Sequence, residues 1–354
     1  MRVIIATVQV PFIVGGAELH ARSLETHLRR AGHEVEIVTF PFKFTPERYI
    51  SDLMSFIANI QFDHFGWVSV DKLIALRFPA YYVKHLDKVV WLLHQHRAVY
   101  DLYDESAADD NLRALRQKIH QYDTELLGSC QNVSANSRNV ARRLQHYNQV
   151  DAEPLYHPPF DSDRFRCGEQ YPYVFYPSRL EQLKRQPLLI EAMRHVRSDL
   201  KLILSGVGGL DADCRALVTE YGLQERVVLL GHIPDAEKFA YYANALAVAY
   251  PPYDEDYGYV TLEAMLSSKP VVTCTDAGGP LEFVIDGETG FVVEPRPEAI
   301  ADKLDWLMAH KVQAARMGEQ GRALYAEKQI SWDHVISTLL HGQGQCGVRS
   351  AERP

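Results

Sequence analysis

An α/β fold made of two parallel-sheet domains is predicted for this chain of 354 residues, and three observations predict it. Short apolar, β-branched runs alternate with amphipathic helical patterns, the order expected when helices cover parallel strands. The alternation pauses in a proline- and charge-rich stretch and then begins again. The length is enough for two domains that each bury their own core.

Taken in order, RVIIATVQV reads as a buried strand. GGAELHARSLETHLRRAGHEV follows as a helix, with Leu19, Leu24 and Leu28 at helical spacing and a stop at Ala31-Gly32, and VEIVTF is the second strand. LIALRF (73–78), VVWLL (89–93) and NVSAN (132–136) are further strands, the last followed by the helix SRNVARRLQHY. PLYHPPFDSDRFRCGEQYPY at 154–173 reads as a linker. Six strands come next: VFYP (174–177), LKLILS (200–205), RVVLL (226–230), LAVAY (246–250), PVVTC (270–274) and FVV (291–293). Helical patterns lie between them at PLLIEAMRHV, DADCRALVTEYGL, AEKFAYYANA, YVTLEAMLSS and LEFVID. Residues 298–342 contain helices and no strand, and 343–354 read as a disordered tail. The expectation is two Rossmann-like domains, 1–165 and 170–330, facing each other across a cleft.

Composition narrows the function. A hydrophobic share of 47% and a charged share of 23% belong to a globular protein, and no apolar run approaches a bilayer span. The start lacks the length and cleavage site of a signal peptide, so a cytoplasmic location is expected. Five scattered cysteines without a CxxC pair are expected to be reduced. The net charge of −9 is concentrated after residue 168, and no basic stripe offers a nucleic-acid surface.

The stretch Tyr253–Met265, YDEDYGYVTLEAM, holds Glu255 and Glu263 with Gly258 between them. In open parallel sheets ligands bind at the carboxyl ends of strands, and this loop follows the strand LAVAY. The amides of Gly258, Tyr259 and Val260 open a helix and suit the oxygens of an anion. Glu263 suits the vicinal hydroxyls of a ribose, and Glu255 a second hydroxylated group. Read blandly, both are solvated residues at a helix start, but Leu262 and Met265 face the core on either side of Glu263. YPSRLEQLKRQ supplies Arg179 and Lys184 at another strand's carboxyl end, positive charge for a diphosphate, or else an ordinary basic turn. Together these describe a sugar–phosphate–ribose ligand.

With these residues in view, the chain resembles retaining glycosyltransferases of family 4, which have the GT-B fold. The pattern E-x7-E with G-Y-V-T-L-E-A-M looks like that family's signature, and five other pieces appear in order over residues 1–335. Gly15-Gly16 opens the first helix, SRLEQLK matches R-L-x-x-x-K, SGVGG at 205–209 the G-x-G loop that holds Gly206, and LGHIP at 230–234 the G-x-[VI]-P turn. AGGPLEFVIDGETGFVV at 277–293 matches G-G-x-x-E…D-G-x-T-G-F. The resemblance implies a sugar transfer from a UDP- or GDP-sugar to a hydroxyl of a saccharide or lipid-linked acceptor, in polysaccharide or glycolipid assembly, without metal or other cofactor. Arg179 and Lys184 would stabilise the departing diphosphate, Glu263 would hold the ribose, and Glu255 would orient the donor sugar. The backbone at Ile233 would touch the base, Gly16 would let the first helix approach phosphate or acceptor, and His94 would stand beside the donor sugar, with His96 as the other choice. The first domain would bind the acceptor, the second the donor, and a helix at 331–342 would cross back to the first. Asp256 stands where the family commonly has glycine and Tyr257 where it has Phe, which bears on the choice of sugar.

Other patterns carry less. Asp161/Asp163, Asp211/Asp213 and Asp254/Asp256 are DxD pairs of the kind that can hold a cation beneath a diphosphate, a role that Arg179 and Lys184 make unnecessary. His94 and His96 have the spacing of a metal pair but no third ligand. RNVARRLQHY is basic and amphipathic: a solvated face, or a peripheral contact with an anionic membrane surface. Two rival readings remain, an epimerase or phosphorylase on the same fold and a non-enzymatic sugar-binding protein.

Overall fold

The structure, a computed structural model, describes residues 1–13 and 15–342; the tail expected to be disordered, 343–354, lies outside the described residues. The described residues form two compact units, residues 1–160 with 331–342, and residues 161–330.

The first unit contains β1 (Arg2–Gln9), α1 (Gly16–Arg30), β2 (Glu34–Pro41), α2 (Glu47–Ile57), β3 (His64–Phe65), β4 (Val68–Ser69), β5 (Lys72–Ala75), β6 (Lys88–Leu92), α3 (Asp110–Gly128), β7 (Val133–Ala135), α4 (Arg138–Asn148) and β8 (Glu153–Pro154). Its main sheet runs β2-β1-β5-β6-β7-β8, parallel throughout. Because side chains alternate along a strand, β1 serves two cores. Ile4, Ala6 and Val8 join α2 and α3 on one face; Val3 and Ile5 join Ala21, Leu24 and Leu28 of α1 on the other. Helix starts follow local chemistry. Glu18 Oε2 accepts from the Gly15 amide at 2.8 Å, Asp109 Oδ1 from Leu112 at 2.8 Å, and Ser137 Oγ from Val140 at 3.0 Å. α1 ends before Gly32, whose φ of +88° only glycine adopts readily.

The second unit contains β9 (Tyr171–Pro177), α5 (Gln186–Ala192), β10 (Lys201–Ser205), α6 (Asp211–Glu220), β11 (Val227–Leu229), α7 (Asp235–Asn244), β12 (Ala245–Ala249), α8 (Tyr259–Leu266), β13 (Val271–Cys274), β14 (Gly290–Val293), α9 (Pro297–Ala309) and α10 (Lys311–Glu327). Its parallel sheet runs β11-β10-β9-β12-β13-β14, wound outward in both directions from β9. The last helix, α11 (Trp332–His341), belongs to the first unit, where Trp332, Val335 and Leu339 share the core with α1 and Trp332 stacks on His27 at 5.0 Å.

Three expectations need correction. The helix read at LEFVID is only a 3-10 turn, Gly279–Glu282: Phe283 already leaves helical geometry with φ −125°, and Thr289 Oγ1 accepts from the Ile285 amide at 2.8 Å, drawing the backbone into the next turn. β9 begins at Tyr171, inside the expected linker, because Tyr173 pairs with Lys201 and Tyr171 with Ala245. The basic helix α4 does not present all its cations to solvent, since Arg143 is buried.

The α1 face holds an unusual core. The fully buried His20 ring lies 4.3 Å from Trp91 and 4.4 Å from His157, and neither of its nitrogens has a hydrogen-bond partner. Burial above all, then the Arg77 charge, push its pKa down to about 3. Burial also lowers His157 far below its usual value and His96 to about 4. Imidazoles that ionise near 6.5 in the unfolded chain but stay neutral in the fold leave stability intact above that pH. Below it the unfolded state takes up protons first, at a cost of about 1.4 kcal/mol per pH unit for each ring. Asp123, raised to about 6 by burial, acts in the opposite sense, because its folded form protonates first as pH falls. Three rings outweigh one carboxyl. The urea midpoint should therefore hold steady from pH 8 to 7 and fall between pH 6 and 4, and His20→Phe should make that fall shallower; a midpoint that rises towards pH 4 contradicts this account.

Candidate functional site

In a sheet wound outward from one strand, the loops after the two strands at the reversal part from each other and leave a crevice at their carboxyl ends. In the second unit these are Ser178–Arg185 after β9 and Tyr250–Gly258 after β12. The structure brings them together. Lys184 Nζ forms an ion pair with Glu255, both mostly buried. Tyr253 donates its amide to Leu183 O at 2.8 Å, and Tyr176 donates its hydroxyl to Lys184 O at 2.6 Å. Burial first, then the Glu255 charge, hold the Tyr176 and Tyr250 phenols far above their ordinary range, so both stay protonated, and Tyr250 also hydrogen-bonds Glu255. The two residues assigned separately to diphosphate and sugar are thus one contact pair. Glu255 is pinned through its backbone as well: its amide donates to Ala277 O at 2.8 Å and its carbonyl accepts from Gly279 at 2.7 Å.

The three cations of the β9 loop are placed differently. Arg179 is half-exposed and meets Glu181 at 2.8 Å. Lys184 faces Glu255. Arg185, which the sequence reading left without a role, holds Asp276 through two bonds of 2.8 and 2.7 Å, with its guanidinium 4.9 Å from the Tyr253 ring. It ties the loop after β13 to the loop after β9.

Glu263, in the middle of α8, is only 8% exposed. One of its oxygens meets Lys238 Nζ at 3.2 Å and the other accepts from Tyr242 OH at 2.6 Å, so α7 holds the carboxylate in place. Neither partner was singled out in the sequence; Lys238 and Tyr242 stand four apart in AEKFAYYANA, the spacing of one helical face. Burial, then Glu263, raise the Tyr242 phenol well beyond its usual range, which keeps it a donor. Tyr259 and the buried Val260 begin α8 directly after Gly258. Gly258 has φ +86°, and a Cβ there would stand 3.0 Å from Pro280 Cγ. Asp256 is partly buried on the same loop.

Gly206 follows β10, and a Cβ on it would lie 2.0 Å from the Ser178 carbonyl. The glycine therefore lets the β10 loop lie against the β9 loop, with Leu180 donating to Val207 O at 3.2 Å. Ile233 is partly buried against the core after β11.

The remaining candidates belong to the first unit. Gly16 is exposed at the start of α1, and the preceding amide, Gly15 N, is already bound by Glu18. Glu18 in turn pairs with Arg77, after β5, at 2.8 Å. His94 is partly buried just past β6, its Nδ1 2.7 Å from Gln95 O. His96 is buried and stacks on Phe78 at 5.1 Å. Among the described residues no group of three or more His, Cys, Asp or Glu could hold a metal ion, and no helix is long and apolar enough to cross a membrane.

Residues 160–324 match the family model "Glycosyl transferases group 1". Alpha-1,3/1,6-mannosyltransferase ALG2 of Mus musculus is 30% identical over 251 residues, 63% of this chain and 60% of that protein. D-inositol 3-phosphate glycosyltransferase of Xylanimonas cellulosilytica is 29% identical over 210 residues, 55% of this chain and 50% of that protein. The chain thus spans about half to three-fifths of the length of these relatives. Among solved structures, sucrose-phosphate synthase from Thermosynechococcus elongatus superposes with TM-score 0.75 at 20% identity, over 96% of this chain and 98% of that one. HepE of Anabaena, in complex with UDP and glucose, does so with TM-score 0.67 at 18% identity, over 96% and 99%. These likenesses establish the GT-B fold, two parallel-sheet α/β domains. E-x7-E and the paired Lys184 both lie within the matched segment, so it is residues 160–324 that resemble the group 1 glycosyl transferases.

Proposed function

We propose that the chain is a retaining hexosyltransferase of family 4 that moves a sugar from a nucleotide diphosphate to a hydroxyl of a saccharide or lipid-linked acceptor, without metal. The observation that carries this reading is the Lys184–Glu255 pair at the reversal of the second sheet, with the Arg179 guanidinium on the same loop. A donor that places its diphosphate at Lys184 and Arg179 and its sugar hydroxyls at Glu255 exchanges one internal ion pair for two contacts with the ligand. The positive charge then stands where negative charge grows as the diphosphate departs, the electrostatic help that contributes most in such reactions. Glu263 is aimed by Lys238 and Tyr242, and each of its oxygens keeps a lone pair for a ribose hydroxyl. The amides at Gly258, Tyr259 and Val260 add donors for phosphate oxygens. Ile233 would meet the base, and Gly206 would keep the neighbouring loop close. The resemblance gives Gly16 and His94, both in the first unit, parts in binding acceptor and donor sugar. The proposal follows the likeness to group 1 relatives, and a UDP sugar is favoured by the HepE complex with UDP and glucose. We further propose work at the inner face of the membrane, as an acceptor with a lipid anchor would require.

Thermal-shift scans with UDP, GDP, UDP-glucose, UDP-N-acetylglucosamine and GDP-mannose test the donor site, because a ligand bound only by the fold raises the melting temperature. A shift with one of these and none with ATP is expected; no shift with any of them would remove the reading. Glu263→Ala should weaken binding of the selected donor about tenfold to a hundredfold, the loss of one or two hydrogen bonds to a charged group. Lys184→Ala and Arg179→Ala should instead lower kcat about a hundredfold or more, with a smaller change in donor KM. Normal turnover in both basic variants would refute their part in diphosphate departure.

A further inference from the structure

Asp123, on α3, is completely buried, and its partners among the described residues are three phenols rather than a cation. Tyr81 and Tyr82 donate to Oδ1 at 2.8 and 2.7 Å, and Tyr100 donates to Oδ2 at 2.7 Å. The three tyrosines come from two loops. Tyr81 and Tyr82 form the 3-10 turn Ala80–Tyr82 after β5, and Tyr100 follows the 3-10 turn Arg97–Val99 after β6. One carboxylate therefore ties together the loops at the carboxyl ends of two adjacent strands.

The network continues to the segment that carries His94. Asn148, at the end of α4, donates to Tyr100 OH at 3.2 Å and to Thr124 Oγ1 at 3.0 Å, and its side-chain oxygen accepts from Gln95. Gln95 is itself buried, and its carbonyl is the partner of His94 Nδ1. Taking a carboxylate from water without a cation is costly; burial is the largest influence on Asp123 and raises its pKa to about 6. A core needing only volume would be served by an apolar side chain here. What a carboxylate bonded to three phenols adds is a single arrangement of the groups attached to it.

We propose that Asp123 is a positioning residue, whose three phenolic hydrogen bonds, relayed by Asn148 and Gln95, set the segment after β6 and with it the imidazole of His94. The inference rests on the reading of His94 as a group that meets the donor sugar. Asp123→Asn tests it: an amide nitrogen cannot accept from a phenol, so one or two of the three bonds are lost with almost no change of shape. Tyr100→Phe is the milder variant, leaving Asp123 two donors and cutting its link to the β6 loop together with the bond that Asn148 donates to Tyr100 OH.

Both variants, made in the full chain, are followed by the 15N–1H signals of the His94 ring, assigned by His94→Gln. They are also followed by release of the nucleoside diphosphate from the nucleotide sugar that gives the largest thermal shift. The expected result is a displaced His94 ring signal and a kcat at least tenfold lower, at unchanged donor KM, in protein that still unfolds cooperatively. A purely structural Asp123 would lower the melting temperature and leave both the ring signal and the kcat of the folded enzyme as they were, which would overturn the proposal. Should Asp123→Asn not fold, Tyr100→Phe decides by the same two readings. Full turnover in His94→Gln would sink the role of His94 itself; loss of turnover there with unchanged Asp123→Asn and Tyr100→Phe would sink only the positioning role.

Discussion

The second unit depends on one ion pair formed where its sheet reverses direction. Two loops that leave β9 and β12 are neighbours only because those strands are hydrogen-bonded, yet 71 residues separate Lys184 from Glu255. Placed apart and solvated, the two charges would interact weakly. Mostly buried beside Tyr176 and Tyr250, they face a lower dielectric and hold each other in a defined position. The remaining loops follow: Arg185 draws in the loop after β13 through Asp276, and Gly206 lets the loop after β10 lie against Ser178. A site for a charged, hydroxylated ligand needs this kind of support, since the groups that meet the ligand must already be aimed before it arrives.

Two of the buried carboxylates, Glu263 and Asp123, are held differently, and the contrast separates their uses. Glu263 retains a cation, Lys238, and a single phenol, Tyr242; it keeps 8% of its surface accessible and spare acceptor capacity. Asp123 is sealed from solvent and held by three phenols, with its outward influence passed through Tyr100, Asn148 and Gln95. The first arrangement is suited to binding something from outside the chain, the second to holding the chain itself. Arginine pairs show the same division: Arg185 is committed to Asp276 by two bonds, whereas Arg179 remains half-exposed beside Glu181.

Much of the fold was legible because parallel strands buried on both faces appear as uninterrupted apolar runs. VVWLL, LKLILS, LAVAY and PVVTC each lie within a residue or two of an observed strand. α2 and α3 lie outside the expected elements, although Ile50, Met54 and Ile57 stand at helical spacing and Asp109 is a good N-cap. LEFVID misled for a physical reason: six residues with an apolar pattern are too few for periodicity to outweigh Gly278 at φ +75° and the Thr289 side chain that competes for the backbone. At the site, the types and spacing of Glu255, Gly258 and Glu263 were legible; Lys238 and Tyr242, the partners that aim Glu263, were not.

By itself the sequence determined the alternation of apolar strands with helices in both halves and the residue types at the strand ends, since periodicity, capping and glycine placement act over a few residues. Only the tertiary structure decided which charges meet. It paired Lys184 with Glu255, gave Arg185 to Asp276, set His96 into an aromatic core while His94 stayed at its edge, and gathered Tyr81, Tyr82 and Tyr100 on Asp123. Such contacts join residues tens of positions apart, through strand order and burial that no local pattern encodes.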